Sequence, residues 1–273
     1  MTTETTETME TTRTTEFPEL IARTPYLWRA GRPESAFRLI CLPHAGAGAA
    51  AYADWARLLP PEIELVAVQL PGRQNRIAED PFTEVGPLVT TLTHALRPVL
   101  DRPYAFFGHS CGAALAFELA KAVRARGRRG PEHLFLSAQA SPEFEGTPQL
   151  HQLDDDAFRA EMVALGGIDE EILRDESVMR SLIPVLRTDF TLWERHRTAP
   201  AEPLDCPITV LCGDSDPRTP TGSVTGWGKH TGADFSVRFY PGGHFYFLES
   251  GAGDVVSFLS RQLLGAPVDG RTS

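Results

Sequence analysis

The segment GHSCG at residues 108–112 places a serine between two glycines, directly after an apolar run and directly before a helical pattern. This spacing is typical of a nucleophile elbow, a strand-to-helix turn in which side chains two positions from the serine would collide with their surroundings. A serine exposed by such a turn can attack an acyl carbon when a neighbouring base removes its proton. The spacing therefore predicts that Ser110 is the nucleophile of an acyl-transfer reaction.

The base is expected late in the chain, because on this kind of scaffold the acid and then the histidine follow the serine. His244 lies in YPGGHFYF, where a Gly-rich loop after the last apolar run can bring an imidazole back over the sheet. His230 is also late, but it precedes that run and has no such loop. The pattern favours His244 as the base. Surface or structural positions are expected for His94, His133, His151 and His196.

The acid that orients the imidazole is expected after the apolar run 207–212, in the segment CGDSDPRTP. Asp214 and Asp216 compete for this role, and both can reach His244 on chain length alone. Pro217 stiffens the chain directly after Asp216, which suits a carboxylate that must keep one orientation. We therefore predict Asp216 as the acid and a turn-capping role for Asp214.

An acyl-transfer serine also needs backbone donors for the oxyanion that forms on the substrate. The N–H of Cys111, the residue after the nucleophile, is the expected first donor. The second donor is expected in the loop CLPHAGAGAAAY, whose small residues let the backbone approach a substrate, and Ala45 is our candidate. Cys111 is also a nucleophile candidate in its own right, but an elbow presents only its central residue to the pocket.

These residues must be positioned by alternating strands and helices. Several of the strand candidates are apolar without strict alternation, as in strands covered on both faces. They occupy 36–42, 63–69, 103–107, 132–138, 207–212 and 235–240. Helix candidates lie between or after them, at 50–59, 87–100, 110–127 and 252–264. This alternation predicts an α/β fold with a mostly parallel, doubly wound sheet.

One segment, 142–200, contains only helical patterns and reads as a helical lid inserted into the sheet domain, with ordinary crossover helices as the alternative. Pro184 is expected to end or kink a helix there. The predicted core comprises 18–141 and 201–265, and the predicted tails are a disordered Thr/Glu-rich segment at 1–17 and a flexible segment at 266–273.

Composition restricts the class of protein. The formal net charge of -10 argues against a nucleic-acid partner, whose phosphates need a basic surface. Apolar runs are too short to span a membrane, and the N-terminus lacks the features of a signal peptide. The four cysteines have no metal-ligand spacing and there is no nucleotide-binding fingerprint, so we expect no metal, no cofactor and a cytoplasmic location.

Several blocks together resemble the free-standing type II thioesterases that accompany polyketide synthases and nonribosomal peptide synthetases. The blocks are LPHAGAGAAAYADWARLLP, VQLPGRQNR, FFGHSCGA, LHQLDDDAF…LGG…VLRTDF, CPITVLCGDSDP, GWGKHTG and YPGGHFYFLE, and they occur in order over about 36–265. The resemblance implies an α/β-hydrolase fold with a lid over an acyl chamber. It also implies hydrolysis of acyl groups from the phosphopantetheine thiol of acyl or peptidyl carrier proteins. By motif, Ser110, Asp216 and His244 fall on the family's catalytic triad.

The chain departs from the family pattern at two places. Cys111 stands where the family usually has methionine, which keeps the N–H donor but alters the packing beside it. The loop at 45–48 reads Ala-Gly-Ala-Gly instead of having two adjacent glycines, so the second oxyanion donor is less well defined.

Contacts to the carrier and to the acyl chain can also be assigned as hypotheses. Arg73 and Arg76 follow the strand candidate 63–69 and emerge at the carboxyl edge, where ligands bind in open α/β sheets. We expect one of them to contact the acidic carrier or its phosphate, with structural ion pairing as the alternative. Apolar lid positions are candidates to line the acyl pocket, or to be plain core: Phe158, Met162, Leu186, Phe190 and Trp193.

Other functions remain open at this point. The same triad serves a product-releasing cyclase or acyltransferase, in which an internal nucleophile replaces water. A general carboxylesterase would prefer oxygen esters, and a non-catalytic hydrolase-fold protein would only bind a carrier or an acyl ligand. The acyl group, the partner synthase and the oligomeric state are not determined by the sequence.

Overall fold

The computed structural model describes residues 19–168, 170–249 and 251–265. The predicted tails, 1–17 and 266–273, lie outside the described residues. Within the described part of the chain, eight strands form one sheet. Their bounds are β1 Ile21–Ala22, β2 Leu27–Arg29, β3 Phe37–Leu42, β4 Ile63–Val68, β5 Tyr104–His109, β6 His133–Ser137, β7 Ile208–Gly213 and β8 Phe235–Tyr240.

The strand order is β1-β2-β4-β3-β5-β6-β7-β8. The six strands from β3 to β8 pair in parallel, and β1 and β2 add an antiparallel edge. Strands β3 to β7 are buried along their whole length, which explains why their sequences are mostly apolar without strict alternation. All six predicted strands are confirmed, and so is the predicted α/β-hydrolase class with its mostly parallel sheet.

Helices cover both faces of the sheet. The helices are α1 Trp55–Leu58, α2 Val85–Ala95, α3 Cys111–Ala125, α4 Asp155–Leu165, α5 Glu170–Arg174, α6 Glu176–Arg195, α7 Tyr246–Glu249 and α8 Ala252–Leu264. One core joins α2 and α3 to alternate strand residues such as Ile40 and Phe106. The other core joins α1 and α8 to the residues between them, such as Leu39 and Phe107. This two-sided burial is that of a doubly wound sheet.

Between β6 and β7 the described chain forms helices α4, α5 and α6 and no strand. We call the predicted segment 142–200 the lid. The helices α4 and α6 begin at side-chain caps, because Asp154 accepts from Ala157 N and Asp175 accepts from Ser177 N, both at 2.8 Å. Pro184 does not end α6, which continues to Arg195 because its apolar side packs on the core beneath. None of the helices in the described ranges has the length and hydropathy needed to cross a bilayer.

Candidate active site

Ser110 occupies a sharp turn between β5 and α3. Its backbone angles, φ 54° and ψ -126°, lie in a region that non-glycine residues rarely adopt. A Cβ atom at Gly108 would lie 2.0 Å from the carbonyl oxygen of Gly112, and one at Gly112 would lie 2.4 Å from that of Leu42. Both positions therefore require glycine, and the strained turn is the geometry that the GHSCG pattern predicts.

His244 and Asp216 lie together although 28 residues separate them in the chain. The imidazole Nδ1 is 2.8 Å from Asp216 Oδ2, and both residues are about 5% exposed or less. Asp216 Oδ2 also accepts from Thr219 Oγ1 at 2.6 Å, and its Oδ1 accepts from the backbone N–H of Arg218 at 2.9 Å. These contacts hold the carboxylate in one orientation.

The charge state of Asp216 follows from those contacts. Burial opposes its ionisation, but the hydrogen bond from His244 and the charge of that imidazole, followed by the bonds from Thr219 and Arg218, lower the pKa of Asp216 below its ordinary value. An ionised Asp216 makes Nδ1 of His244 the donor, so Nε2 is left as the basic nitrogen. The competing Asp214 lies in an exposed turn, where its Oδ1 accepts from Ser215 Oγ and Gly242 N.

The two expected oxyanion donors border the same space as Ser110. Ala45 and Ser110 line two adjoining cavities, and Cys111 lines the second of them. Among the described hydrogen bonds, none uses the N–H of Ala45 or of Cys111, whereas the N–H of Gly46 donates to Asp189 at 2.8 Å. Because α3 begins at Cys111, the N–H of Cys111 has no partner within the helix, whereas Ala113 N already donates to Ser110 O at 2.8 Å.

The thiol of Cys111 is in a poor state for nucleophilic attack. Burial raises the pKa of Cys111 far above its ordinary value, and the nearby Asp189 carboxylate adds to this effect. The thiol therefore stays protonated, which agrees with Ser110 rather than Cys111 as the attacking group.

The first cavity beside Ser110 is an apolar chamber of about 440 Å³. Three of the five predicted acyl-pocket residues line it: Met162, Leu186 and Phe190. Phe158 and Trp193 do not line it. Phe158 lies behind the wall with its ring edge-on to Phe190 at 5.6 Å, as the core alternative implies, and Trp193 lines the second cavity. The helical pattern correctly indicated apolar positions but did not distinguish which of them reach the chamber.

Part of the chamber wall was missed by sequence reasoning, because it lies outside the lid. Tyr52 comes from the turn before α1, and Phe245, Phe247 and Leu248 come from the segment directly after His244. The available signal was the aromatic run FYF directly after the predicted base. The segment that contains His244 thus also forms part of the chamber wall.

The second cavity, about 390 Å³ in volume, has a mixed polar and apolar lining. It lies between the segment 139–149, the start of α3 and the C-terminal half of α6, and it has exposed residues such as Glu143 and Gln149 at its rim. Arg218 lines it, and the Nη1 atom of this guanidinium is buried without a hydrogen-bond partner in the described structure. We call the two spaces the apolar chamber and the polar cavity. Ala45, Ser110 and Phe190 border both.

Comparison with known proteins identifies the family of the chain. The family model of the thioesterase domain matches residues 37–263. The chain belongs to the thioesterase family. It is 39% identical over 227 residues to the gramicidin S biosynthesis protein GrsT of Aneurinibacillus migulanus, covering 83% of this chain and 88% of that protein. It is 41% identical over 215 residues to the thioesterase PikA5 of Streptomyces venezuelae, covering 78% and 76%.

A solved structure extends the comparison to the fold. The type II thioesterase BorB from the borrelidin biosynthetic cluster superposes with a TM-score of 0.77 at 35% identity, covering 89% of this chain and 98% of that one. The predicted resemblance is therefore confirmed, and the protein is a type II thioesterase of the kind found in polyketide and nonribosomal peptide pathways.

Arg73 and Arg76 of the thioesterase are buried in ion pairs, which is the alternative to a carrier contact. Arg73 is 4% exposed and forms a two-point ion pair with Asp189 of the lid, with N–O distances of 2.5 and 3.1 Å. Arg76 is 7% exposed, pairs with Glu79 and lies over the ring of Tyr26. Guanidinium groups buried in this way do not face a docking partner, so the ion-pairing alternative is the one that the geometry favours.

Two further histidines of the thioesterase lie beside His244. Burial, together with the charge of His244, lowers the pKa of His44 to about 3 and that of His109 well below its ordinary value. The ring of His109 lies 5.0 Å from that of His244, and its Nδ1 is 2.9 Å from Ser137 Oγ. Both imidazoles are neutral at physiological pH, so neither opposes the positive charge that a base at His244 acquires.

Proposed function

We propose that this thioesterase hydrolyses acyl groups from the phosphopantetheine thiol of acyl or peptidyl carrier proteins, through a Ser110–His244–Asp216 triad. One observation carries the proposal. The strained serine stands where an apolar chamber and a polar cavity meet, and the imidazole held by Asp216 lines the chamber beside it. That arrangement suits a substrate with one apolar part, one polar part and a cleavable bond between them.

In the acylation step, His244 Nε2 takes the hydroxyl proton of Ser110 while Oγ bonds to the thioester carbonyl carbon. The carbonyl oxygen becomes an oxyanion, which the N–H groups of Ala45 and Cys111 stabilise. The carbon–sulfur bond then breaks, and the pantetheine sulfur leaves as a thiol with the proton from His244. Ser110 is left as an acyl ester.

Hydrolysis of that ester repeats the sequence with water. His244 removes a proton from the water as its oxygen bonds to the acyl carbon, and the same two N–H groups hold the second oxyanion. The ester bond breaks, Ser110 recovers its proton from the imidazolium, and the free acid leaves. Throughout, ionised Asp216 keeps the imidazole in one tautomer and stabilises its cationic form.

The two cavities support a carrier-bound thioester as the substrate. The chamber is lined mainly by aliphatic and aromatic side chains and can take an acyl chain out of water. The arm of phosphopantetheine contains two amides, which need donors and acceptors along their path. The polar cavity has these groups, including the unpartnered Arg218 Nη1, and its rim is exposed to solvent.

The relatives support the same role. GrsT is named for gramicidin S biosynthesis, and BorB comes from a borrelidin biosynthetic cluster. We infer that the partners of this chain are the carrier domains of an assembly line, from which it removes acyl groups.

The test is intact-protein mass spectrometry of an acylated carrier protein incubated with the wild type, Ser110→Ala and Ser257→Ala. Ser257 is an exposed residue of α8 and serves as the matched control. The expected result is loss of the acyl mass and release of free acid with the wild type and Ser257→Ala, but not with Ser110→Ala. A released product lighter than the free acid by one water would show that the enzyme cyclises the acyl group instead of hydrolysing it. An acyl-carrier that stays intact across acetyl, octanoyl and aminoacyl groups would refute the proposal.

A further inference from the structure

Asp189 is a buried carboxylate in the lid helix α6, beside the proposed oxyanion donors rather than among the catalytic groups. It is 5% exposed and accepts three hydrogen bonds. Two come from the guanidinium of Arg73, and the third comes from the backbone N–H of Gly46 at 2.8 Å. It therefore links the lid, the loop after β3 and the chain after β4.

The pair is poorly explained by stability alone. Removing two charges from water costs several kcal/mol each, and apolar side chains of similar size often give equal or greater stability. An apolar side chain at this position could not accept the hydrogen bond from Gly46 N. The contact to the loop is therefore the feature that needs a carboxylate or an amide.

Gly46 follows Ala45, whose N–H is the proposed second oxyanion donor. The loop has other internal anchors: Ala47 N donates to His44 O at 3.1 Å, and Ala49 N donates to Gln69 Oε1 at 2.9 Å. The first anchor holds the His44–Ala45 peptide, which carries the N–H of Ala45, but neither anchor holds the next peptide, between Ala45 and Gly46. The hydrogen bond from Gly46 N to Asp189 holds that peptide, so the lid helix sets the orientation of the backbone directly after the Ala45 donor.

The lid lies close to this peptide, and the backbone conformation of Gly46 favours glycine. Its φ is 73°, and a Cβ at this position would lie 2.7 Å from a methyl carbon of Leu186, one turn before Asp189 on α6. The backbone of the loop and the side chains of α6 thus form one packed unit.

Arg73 completes the arrangement electrostatically. A lone carboxylate beside the oxyanion site would oppose the negative charge that forms there, in a setting with little water to screen it. The two-point contact with Arg73 neutralises Asp189 while leaving its oxygen available to Gly46.

We propose that Asp189 is a positioning residue: by holding the Ala45–Gly46 peptide it fixes the backbone directly after the Ala45 N–H donor, with Arg73 as its neutralising partner. The acyl-transfer site is complete only where α6 lies against this loop. The inference rests on the proposed hydrolysis at Ser110 and on Ala45 as a donor, and it adds a link between the lid and the transition state.

Two variants of similar shape separate this role from a general loss of charge. Asp189→Asn and Asp189→Leu both remove the carboxylate, but only asparagine keeps an acceptor for Gly46 N. Steady-state hydrolysis of octanoyl-pantetheine is measured with both, with Arg180→Leu as an exposed control on the same helix. Asp189→Leu is expected to lower kcat about 30-fold, less than the roughly 10²–10³-fold cost of removing an oxyanion donor outright, with KM within about twofold. Asp189→Asn is expected to keep kcat within about fivefold of the wild type, since the acceptor for Gly46 N remains.

A second readout reports the oxyanion site itself. An alkyl boronic acid forms a tetrahedral adduct on the serine, so its inhibition constant is expected to weaken with Asp189→Leu in proportion to kcat, but not with Asp189→Asn. Thermal unfolding identifies a variant that loses structure. Equal kcat and equal boronate inhibition for the two folded variants would overturn the inference and leave the hydrolase assignment intact. Absence of hydrolysis by the wild type would instead overturn the proposed function on which it rests.

Discussion

The apolar chamber and the polar cavity share one helix as a wall, yet they differ in chemistry. The N-terminal half of α6 lines the chamber with residues such as Leu182 and Val185, and the C-terminal half lines the polar cavity with residues such as Trp193 and Glu194. Phe190 borders both. A single helix can thus contact the apolar part and the polar part of a substrate separately, because its side chains change from apolar to more polar along its length.

This contrast implies that variants should fall into three groups. Changes in the proposed triad, whose serine lies where the two spaces meet, should affect every substrate alike. Changes in the chamber should depend on the acyl chain, and changes in the polar cavity should depend on the leaving arm. The predictions below test these groups, from the largest expected effect to the smallest.

The largest effect is expected in the proposed triad. Asp216→Asn removes the charge that selects the tautomer of His244, and kcat should fall about 10⁴-fold, as in other serine triads. Asp214→Asn, in the exposed turn, should stay within about twofold of wild type because it does not contact His244. Hydrolysis of acetyl and octanoyl thioesters by both variants is the measurement. A larger loss in Asp214→Asn than in Asp216→Asn would reverse the assignment of the acid.

The next effect concerns the chamber. Val185→Trp fills space that a long acyl chain would occupy, so kcat/KM for octanoyl-pantetheine should fall about 30-fold while that for acetyl-pantetheine changes little, a cost of about 2 kcal/mol in lost apolar contact. Val163→Trp is the control, because Val163 is exposed on α4 and does not line the chamber. If both thioesters lost activity equally, the chamber would not be the acyl site.

A smaller effect is expected in the polar cavity. Arg218→Met keeps the length of the side chain but removes the unpartnered donor, and KM for acetyl-pantetheine should rise about tenfold, the value of one hydrogen bond to a charged group. The KM for p-nitrophenyl acetate, which lacks the arm, should not change. Kinetics with the two substrates distinguish the cases, and an equal change in both would place the arm elsewhere.

The smallest effect is on stability and comes from a histidine outside both cavities. Burial lowers the pKa of His133 to about 4, whereas an unfolded histidine titrates near pH 6.5. Between these two values the unfolded chain binds the proton and the folded chain does not. The free energy of unfolding should therefore fall as the pH falls from about 6.5 towards 4, by about 1 kcal/mol from this residue at pH 5.5.

Urea unfolding at pH 7.5 and 5.5 measures this loss. His133→Gln should show a smaller decrease than the wild type, while His94→Gln, which replaces an exposed histidine, should match the wild type. An unchanged decrease in His133→Gln would mean that His133 does not stay neutral in the folded protein.

Much of the fold was predictable because its signals are local. The strands β3 to β8 are short apolar runs bounded by turn residues, and GHSCG specifies the elbow through the space around two glycines. The edge strands β1 and β2 were missed, since two and three residues give no periodic pattern. They are held instead by distant partners, among them the two-point pair of Arg29 with Glu64.

The candidate site divides in the same way. Chain order after a recognised elbow was enough to select His244 and to limit the acid to two carboxylates. Pro217 favoured Asp216, and in the fold Asp216 lies 2.8 Å from the imidazole whereas Asp214 lies in an exposed turn. The catalytic roles themselves stay predictions until the variants are measured.

The sequence by itself determined the class of fold, the family and the residues able to carry out acyl transfer, because each depends on neighbours within a few positions. The tertiary structure alone decided what Arg73 contacts, which lid residues reach the chamber, and that Asp189 holds the loop of Ala45 from 143 residues away. The direction and burial of a side chain depend on which distant elements pack beside it, and no local spacing records that information.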